Sequence, residues 1–390
     1  MKKKLPILLM LSILIIIALF ISIKKEDSKA RASNIFHSCS KNIKPKLTCY
    51  ADYFSEFSKS NRIEYSLETL EELQKIDPQT NYCHGIAHKI SASEVRKNPA
   101  NWIDVFQKID LNDCSTGFFH GVIEGHIATD PNFILDKNSI TNICDQLKNS
   151  SNDSNNNRQD ICNRAMHAIG HMLLVQEKGV TDKAGQICAD LASDLQLNCF
   201  IGNYMEYAQR EMLSEHKIAE KVAWSSKNVK ELQDICNSLS GIAKKGCFRG
   251  IFTTFSSIAT SNLNLLWQYC SQMQDLEELQ ACHMGGIGGI AVLASNGYAK
   301  EIKLDSLCSG FLQDSEYDLC LSQIIRSIIV GSPKNLDQLI EFCSRLNKNP
   351  TDCFDKIKLF LDQYYDKKYI DKLCVSSPQL RKSCQKLSII

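Results

Sequence analysis

Three short segments between residues 83 and 171 place metal-capable side chains four residues apart. Each segment begins with a cysteine, and six of the chain's nine histidines fall within the three segments. Residues i and i+4 of an α-helix lie on one face, about 5–6 Å apart, so both side chains of a pair can reach one ion. The pairs are His84/His88, His120/Glu124 and His167/His171. Their repetition at one place in the chain predicts a metal site.

The composition of this ligand set narrows the choice of metal. Five imidazoles and one carboxylate suit zinc, iron, copper or manganese, and not calcium or magnesium. Six ligands exceed the four of a closed structural zinc site, so the set can hold two ions, or one ion with further side chains around it. Glu124 can be a ligand or a general base acting on metal-bound water. The alternative is that all six are polar side chains hydrogen-bonded between helices.

Three other residues could add to this ligand set or lie beside it. Glu206 lies in the next apolar segment and is a candidate extra ligand. His283 follows a cysteine as His84 does, and it would contribute only if the chain closes on itself. His126 is six positions from His120, about 240° round a helix, so we expect it beside or outside the site.

The eighteen cysteines fall into regularly spaced pairs. An even number at recurring spacings indicates a disulfide framework in an oxidising compartment. The expected pairs are 39/49, 144/162, 188/199, 236/247, 270/282, 308/320, 343/353 and 374/384, which leaves 83 and 114 to pair with each other.

The surroundings of the cysteine pairs also repeat. The first cysteine ends an amphipathic segment and the second opens an apolar one, and from Cys188 onward the units recur at the period of α-hairpin repeats. The layout resembles secreted cysteine-rich Sel1/TPR-type solenoids, and the resemblance is confined to helical hairpins joined by a disulfide. We predict an all-α, disulfide-stapled α-hairpin repeat array over residues 39–390, either a solenoid or an α/α toroid, with the metal site in 83–206.

Residues 1–27 form a candidate membrane anchor. Three lysines precede an apolar run from Leu5 to Ile23, and charges follow it. At ~1.5 Å per residue such a run spans roughly the ~30 Å hydrocarbon core of a bilayer. We expect one uncleaved transmembrane helix with the lysines cytoplasmic, a cleaved signal peptide being the alternative. Residues 28–38 are expected to be a polar tether. Either way, the main domain would lie in the periplasm or outside the cell.

Several classes of function are disfavoured. The 45 basic and 44 acidic residues are interspersed, so no basic patch predicts nucleic-acid binding. The chain has no C-x-x-C, G-x-S-x-G, P-loop or H-E-x-x-H motif. We expect a metal-dependent enzyme, hydrolytic or oxidative, and the alternative is a non-catalytic metal-binding or protein-interaction scaffold. A protein partner would bind the second half, where Arg249 and Arg326 replace the His/Glu pairs.

Overall fold

The computed structural model describes residues 27–381, apart from gaps at 82, 109–113, 115–116, 131, 151–154, 211–212, 215–216, 221–225, 260–262, 271–272, 274, 297–301, 310–313, 332–334, 347–349, 366–369, 372–373 and 376–379. The described residues form helices and turns, with no β-strand among them.

The first ten helices are α1 (27–40), α2 (Lys46–Ser60), α3 (Ile63–Ile76), α4 (His84–Lys97), α5 (Val105–Lys108), α6 (Gly117–Thr129), α7 (Lys137–Ser150), α8 (Asn155–Gln176), α9 (Thr181–Ala189) and α10 (Ser193–Gln209). They are followed by α11 (Ser226–Asn237), α12 (Gly241–Ala259), α13 (Leu263–Cys270), α14 (Leu276–Ser295), α15 (Asp314–Gly331), α16 (Leu336–Arg345) and α17 (Pro350–Tyr364). Short 3₁₀ turns cover Pro78–Asn81, Pro99–Asp104 and Leu304–Ser306.

Helices of two kinds are distinguished by their apolar pattern. In α16 the buried positions include Leu336, Leu339, Ile340 and Cys343, which form one stripe at helical spacing and leave the other face in water. In α6 every residue from Gly117 to Gly125 is buried. A helix that is buried all round belongs to the interior, so α6 lies inside the protein with helices around it.

Residues 28–38 are not the polar tether that the sequence predicts. They belong to α1, and Ala32 and Ile35 are buried in the hydrophobic core. The expectation was wrong because it weighed the polar composition of the segment and overlooked the helical spacing of Ala32, Ile35 and Cys39. Burial of that stripe makes α1 part of the helical domain.

Eight of the nine predicted cysteine pairs are disulfide bonds. Their Cα–Cα separations are 4.8 to 5.8 Å, within the usual range. They join 39 to 49, 83 to 114, 144 to 162, 188 to 199, 236 to 247, 270 to 282, 308 to 320 and 343 to 353. The ninth prediction involves Cys384, which lies outside the described residues. So many disulfides indicate an oxidising, extracytoplasmic environment.

From α6 onward, one helix of each disulfide-linked pair packs against the next such helix in chain order. Each of these helices contains or directly follows the second cysteine of its disulfide. The contacts run from α6 through α8, α10, α12, α14 and α15 to α17, and α4, which follows Cys83, packs on α6. Helix α17 also contacts α8. The metal-capable pairs of α4, α6 and α8 therefore lie on adjacent helices.

Glycines set the distance between these adjacent helices. A Cβ atom on Gly121 would lie 2.1 Å from the carbonyl oxygen of His88, and one on Gly202 would lie 2.0 Å from that of His167. Only glycine permits such an approach of one backbone to another. Helix α6 is thereby held close to α4, and α10 is held close to α8.

None of the described helices is long and apolar enough to cross a membrane. The predicted anchor, residues 5–23, lies outside the described residues.

Candidate metal centre

The side chain of His120, on α6, lies at the centre of a cluster of imidazole rings. The ring centroid of His120 is 4.8 Å from that of His84 and 6.2 Å from that of His88, both on α4. On the other side it is 5.3 Å from the centroid of His167 and 4.7 Å from that of His171, both on α8. All five predicted histidines thus come together, and His120 contacts each of the other four.

Three of these histidines have the arrangement of metal ligands. One nitrogen from each of His120, His167 and His171 can be chosen so that all three lie within 4.8 Å of one another. Nε2 of His167 and Nε2 of His171 are 3.3 Å apart. Ligand bonds of about 2.0–2.1 Å to a shared zinc ion would bring imidazole nitrogens to similar separations. We refer to these three residues as the histidine triad.

Glu206 lies behind the histidine triad and does not join it. Its Oε2 is 3.1 Å from Nδ1 of His171, and its Oε1 accepts a hydrogen bond of 2.7 Å from the backbone N–H of Leu213. The side chain has no exposed surface. Because a carboxylate can only accept hydrogen bonds, it holds the proton of His171 on Nδ1. The lone pair of His171 then lies on Nε2, the atom that faces His167.

His88 and Glu124 form a second pair of polar groups beside the triad. Nε2 of His88 is 2.5 Å from Oε2 of Glu124, and both side chains are buried. Despite this short distance, neither atom has the angles of a hydrogen bond to any described residue. The other carboxylate oxygen, Oε1, is 3.6 Å from a guanidinium nitrogen of Arg96, whose side chain is 43% exposed.

Nε2 of His120 is also buried without a hydrogen bond to any described residue. Together with Nε2 of His88 and Oε2 of Glu124, it makes three such atoms within one cluster. Buried polar atoms almost always have a hydrogen-bond partner, and each exception calls for an explanation such as an ion or a water molecule. The concentration of these atoms fits a group of ligands directed at cations.

Burial keeps the two central imidazoles neutral. Desolvation, with the neighbouring imidazoles adding to it, lowers the pKa of His120 well below 6.5. The pKa of His167 is lowered in the same direction, first by desolvation and then by the charges of His171, His84 and Arg249. Neutral imidazole is the form that binds metals, so the cluster is prepared for metal binding at neutral pH.

Glu124 is a carboxylate at neutral pH. Desolvation alone would raise its pKa, but the charge of His88, the contact with that ring and the charges of Lys89 and Arg96 outweigh burial and lower the pKa to about 2. The cluster therefore combines the neutral imidazoles of His120 and His167 with one charged oxygen donor.

One side of the cluster is open to solvent. His84 and His167 are half-buried, whereas His88, His120 and His171 are buried. Gly85, next to His84, is exposed, and a Cβ atom there would meet nothing within 4 Å. The rings of His84 and His167 therefore keep some contact with solvent.

Two histidines have other environments. The ring of His126 stacks on Trp102 at a centroid distance of 4.3 Å and meets the edge of Phe133 at 4.6 Å. This agrees with the prediction that it lies outside the ligand set. His283 lines a cavity of about 130 Å³ between α14 and α15, with Leu279 and Met284, and burial lowers its pKa to about 4.

Sequence reasoning missed Arg96. It lies on α4 eight residues after His88, about two helical turns further along, and its side chain reaches the carboxylate of Glu124. The helical spacing of Arg96 from His88 was the signal that could have identified it.

Comparisons with protein-family models, with curated proteins and with solved structures found no match to this chain. Any functional conclusion therefore depends on the chemistry of the cluster.

Proposed function

We propose that this chain is an extracytoplasmic, metal-dependent enzyme that binds a transition-metal ion through the histidine triad of His120, His167 and His171. The observation that carries this proposal is that one nitrogen from each residue lies within 4.8 Å of the other two. Three protein ligands with space for a fourth group are typical of catalytic zinc sites, whereas structural zinc sites have four protein ligands.

The ligand chemistry favours hydrolysis over the oxidative alternative. Three neutral imidazoles leave the full charge of a divalent ion uncompensated, and such an ion lowers the pKa of a bound water towards 7. Zinc, copper and iron all suit imidazole, and zinc adds no redox chemistry of its own. His167 is half-buried, so one ring of the triad keeps some contact with solvent.

The surroundings of the triad support a preorganised site. The contact between Glu206 and Nδ1 of His171 is of the carboxylate–histidine–metal type that fixes ring orientation and raises ligand basicity. The triad lies on two helices, and close backbone contacts at Gly121 and Gly202 hold α6 against α4 and α8 against α10. A site of this kind binds its ion without first ordering loops.

We also propose that the helical hairpins form a repeat array, and that one N-terminal transmembrane helix anchors it outside the cytoplasm. The regular disulfides and the chain-order packing of α6 to α17 support an array. The contact between α17 and α8 favours a closed α/α toroid over an open solenoid. The apolar run from Leu5 to Ile23 supports the anchor.

The test compares His171→Ala with His126→Ala, since both remove an imidazole from a helix and only the first removes a triad ligand. We expect the full chain, folded under oxidising conditions, to retain metal in the His126 variant and to lose it in the His171 variant. Equal metal content in the two variants would contradict the site assignment.

Catalysis is tested separately with the wild-type chain. We expect turnover of ester, phosphate-ester or peptide substrates that disappears on treatment with a chelator and returns on addition of zinc. Retained metal with no metal-dependent turnover of any of these classes would favour the alternative, a non-catalytic metal-binding or interaction scaffold.

A further inference from the structure

We propose that His88 and Glu124 hold a second divalent transition-metal ion, which would make the metal centre dinuclear. This inference depends on the proposed function, because the second ion would lie beside the one bound by the histidine triad. It assigns Glu124 as a metal ligand and not as a general base.

The first argument is the contact between the two side chains. Nε2 of His88 and Oε2 of Glu124 approach to 2.5 Å, yet neither atom makes a hydrogen bond within the described part of the chain. A proton on Nε2 of His88 would pair with the carboxylate in the metal-free chain. With His88 neutral both atoms are acceptors, and a small separation of the two side chains would let one cation take the place of that proton and bind both atoms.

The second argument is electrostatic. Glu124 is buried, and a buried carboxylate is costly to ionise unless a counter-charge compensates it. The charges of His88, Lys89 and Arg96 act on this carboxylate. The guanidinium of Arg96 is 3.6 Å from Oε1 and its side chain is 43% exposed, so solvent partly screens its charge. A divalent ion bound by Oε2 and by Nε2 of His88 would compensate the buried carboxylate more strongly.

The third argument is the position of this pair relative to the triad. Glu124 follows His120 by one helical turn on α6, so both side chains project from one face of the helix. The ring centroids of His88 and His120 are 6.2 Å apart. Ions in two-metal sites lie about 3.5–4 Å apart, and ligands one helical turn from each other can serve two such neighbours.

The donors also indicate what this second position would bind. One imidazole and one carboxylate leave several coordination positions for water, and a mixed nitrogen and oxygen set suits manganese, iron or zinc better than copper(I), which selects thiolates. The second ion should therefore bind more weakly than the first and exchange faster.

The experiment titrates the metal-free full chain with Mn²⁺ and with Zn²⁺, and measures the bound equivalents after equilibrium dialysis. We expect two equivalents for the wild type, with the second at least about tenfold weaker than the first. We expect one equivalent for His88→Ala and one for Glu124→Gln. Glu278→Gln is the matched control, because it neutralises another buried carboxylate, which pairs with Lys244 on a different helix pair, and it should keep two equivalents.

Electron paramagnetic resonance of the wild type loaded with two equivalents of Mn²⁺ gives a test that needs no variant. An exchange-coupled multiline spectrum is expected, and a signal of isolated Mn²⁺ would overturn the inference. A different outcome would separate the two proposals. If the wild type binds one equivalent, and that equivalent is lost in His171→Ala but kept in His88→Ala, the second ion does not exist and the proposed function still holds. No binding of any metal would overturn both.

Discussion

Oε2 of Glu206 lies 3.1 Å from Nδ1 of His171, on the ring nitrogen that does not face His167. The carboxylate thereby determines which nitrogen of His171 carries a proton. Since Glu206 also accepts a hydrogen bond from the backbone of Leu213, its own orientation is fixed by α10 and the turn that follows. A residue on the neighbouring helix α10 thus determines whether Nε2 of His171 is free to bind the proposed metal ion.

Replacing Glu206 by glutamine should weaken metal binding. The amide oxygen can still accept from the N–H of Leu213, but the amide group would then present a donor to His171 and favour the tautomer with its proton on Nε2. We expect a 10–100-fold loss of affinity, as for other groups that orient a metal ligand. Competition with a chromophoric chelator measures it. Glu278→Gln, which changes another buried carboxylate that pairs with Lys244, should leave the affinity unchanged.

Two glycines of the ligand-bearing helices should respond to alanine in opposite ways. Gly121→Ala places a Cβ atom against the carbonyl oxygen of His88, and we expect a loss of at least about 1–3 kcal/mol in the free energy of unfolding. Gly85→Ala meets open space, and the better helix propensity of alanine should stabilise the protein by up to about 1 kcal/mol. Chemical denaturation measures both variants. Equal effects would show that α4 and α6 are not in backbone contact.

Removing the disulfide between Cys83 and Cys114 should affect both stability and the metal centre. It closes 31 residues, for which the chain-entropy model gives about 4 kcal/mol, and it ties the start of α4 to the residues before α6. The double change to alanine should therefore lower metal affinity. The same change at Cys39 and Cys49, 10 residues apart and remote from the cluster, should cost about 3 kcal/mol and leave metal affinity intact. Equal metal affinities in the two double variants would show that the disulfide between Cys83 and Cys114 does not affect the metal centre.

The metal-free protein should lose stability as the pH falls below about 6.5. In the folded state His120 and His167 have lowered pKa values and stay neutral, chiefly because of desolvation, whereas in the unfolded chain they take up protons near 6.5. Their neutral forms stabilise the fold fully above that pH, and the unfolded state is favoured progressively below it. Thermal unfolding with a chelator present, from pH 8 to pH 5, measures the trend.

The control for this pH dependence is the double variant His120→Gln with His167→Gln. Since His126 and His283 also have lowered pKa values, some dependence should remain in the variant, with a smaller slope. An unchanged slope would mean that the two triad histidines are not the groups responsible.

The helical class and most disulfide pairs could be predicted because the spacing recurs. Cysteines 10–12 residues apart, at the end of one helix and in the next, can meet across the intervening turn. Cys83 and Cys114, 31 residues apart, could be paired only by elimination. The exclusion of His126 from the ligand set also followed from helical geometry, and its stack on Trp102 agrees.

The role of Glu206 could not be predicted in the same way. Periodicity places it on a helix next to α8, which made it a candidate ligand. Which nitrogen of His171 it reaches depends on how far the two helices are shifted along their axes relative to each other. That shift is set by the backbone contact of Gly202 with His167. Similarly, the return of α17 to α8 depends on packing angles that a repeat period does not contain. The tether expected at 28–38 was wrong for a simpler reason, since its apolar stripe was present but was not given weight.

The metal content of the purified protein shows whether the histidine triad binds an ion. The full-length chain should be folded under oxidising conditions, purified without a metal-affinity step and submitted to elemental analysis. The account predicts one to two equivalents of zinc, iron, copper or manganese per chain, removed by a chelator and restored from the corresponding ion. A chain that is folded with its disulfides intact, yet contains none of these metals and takes up none when they are supplied, would contradict it.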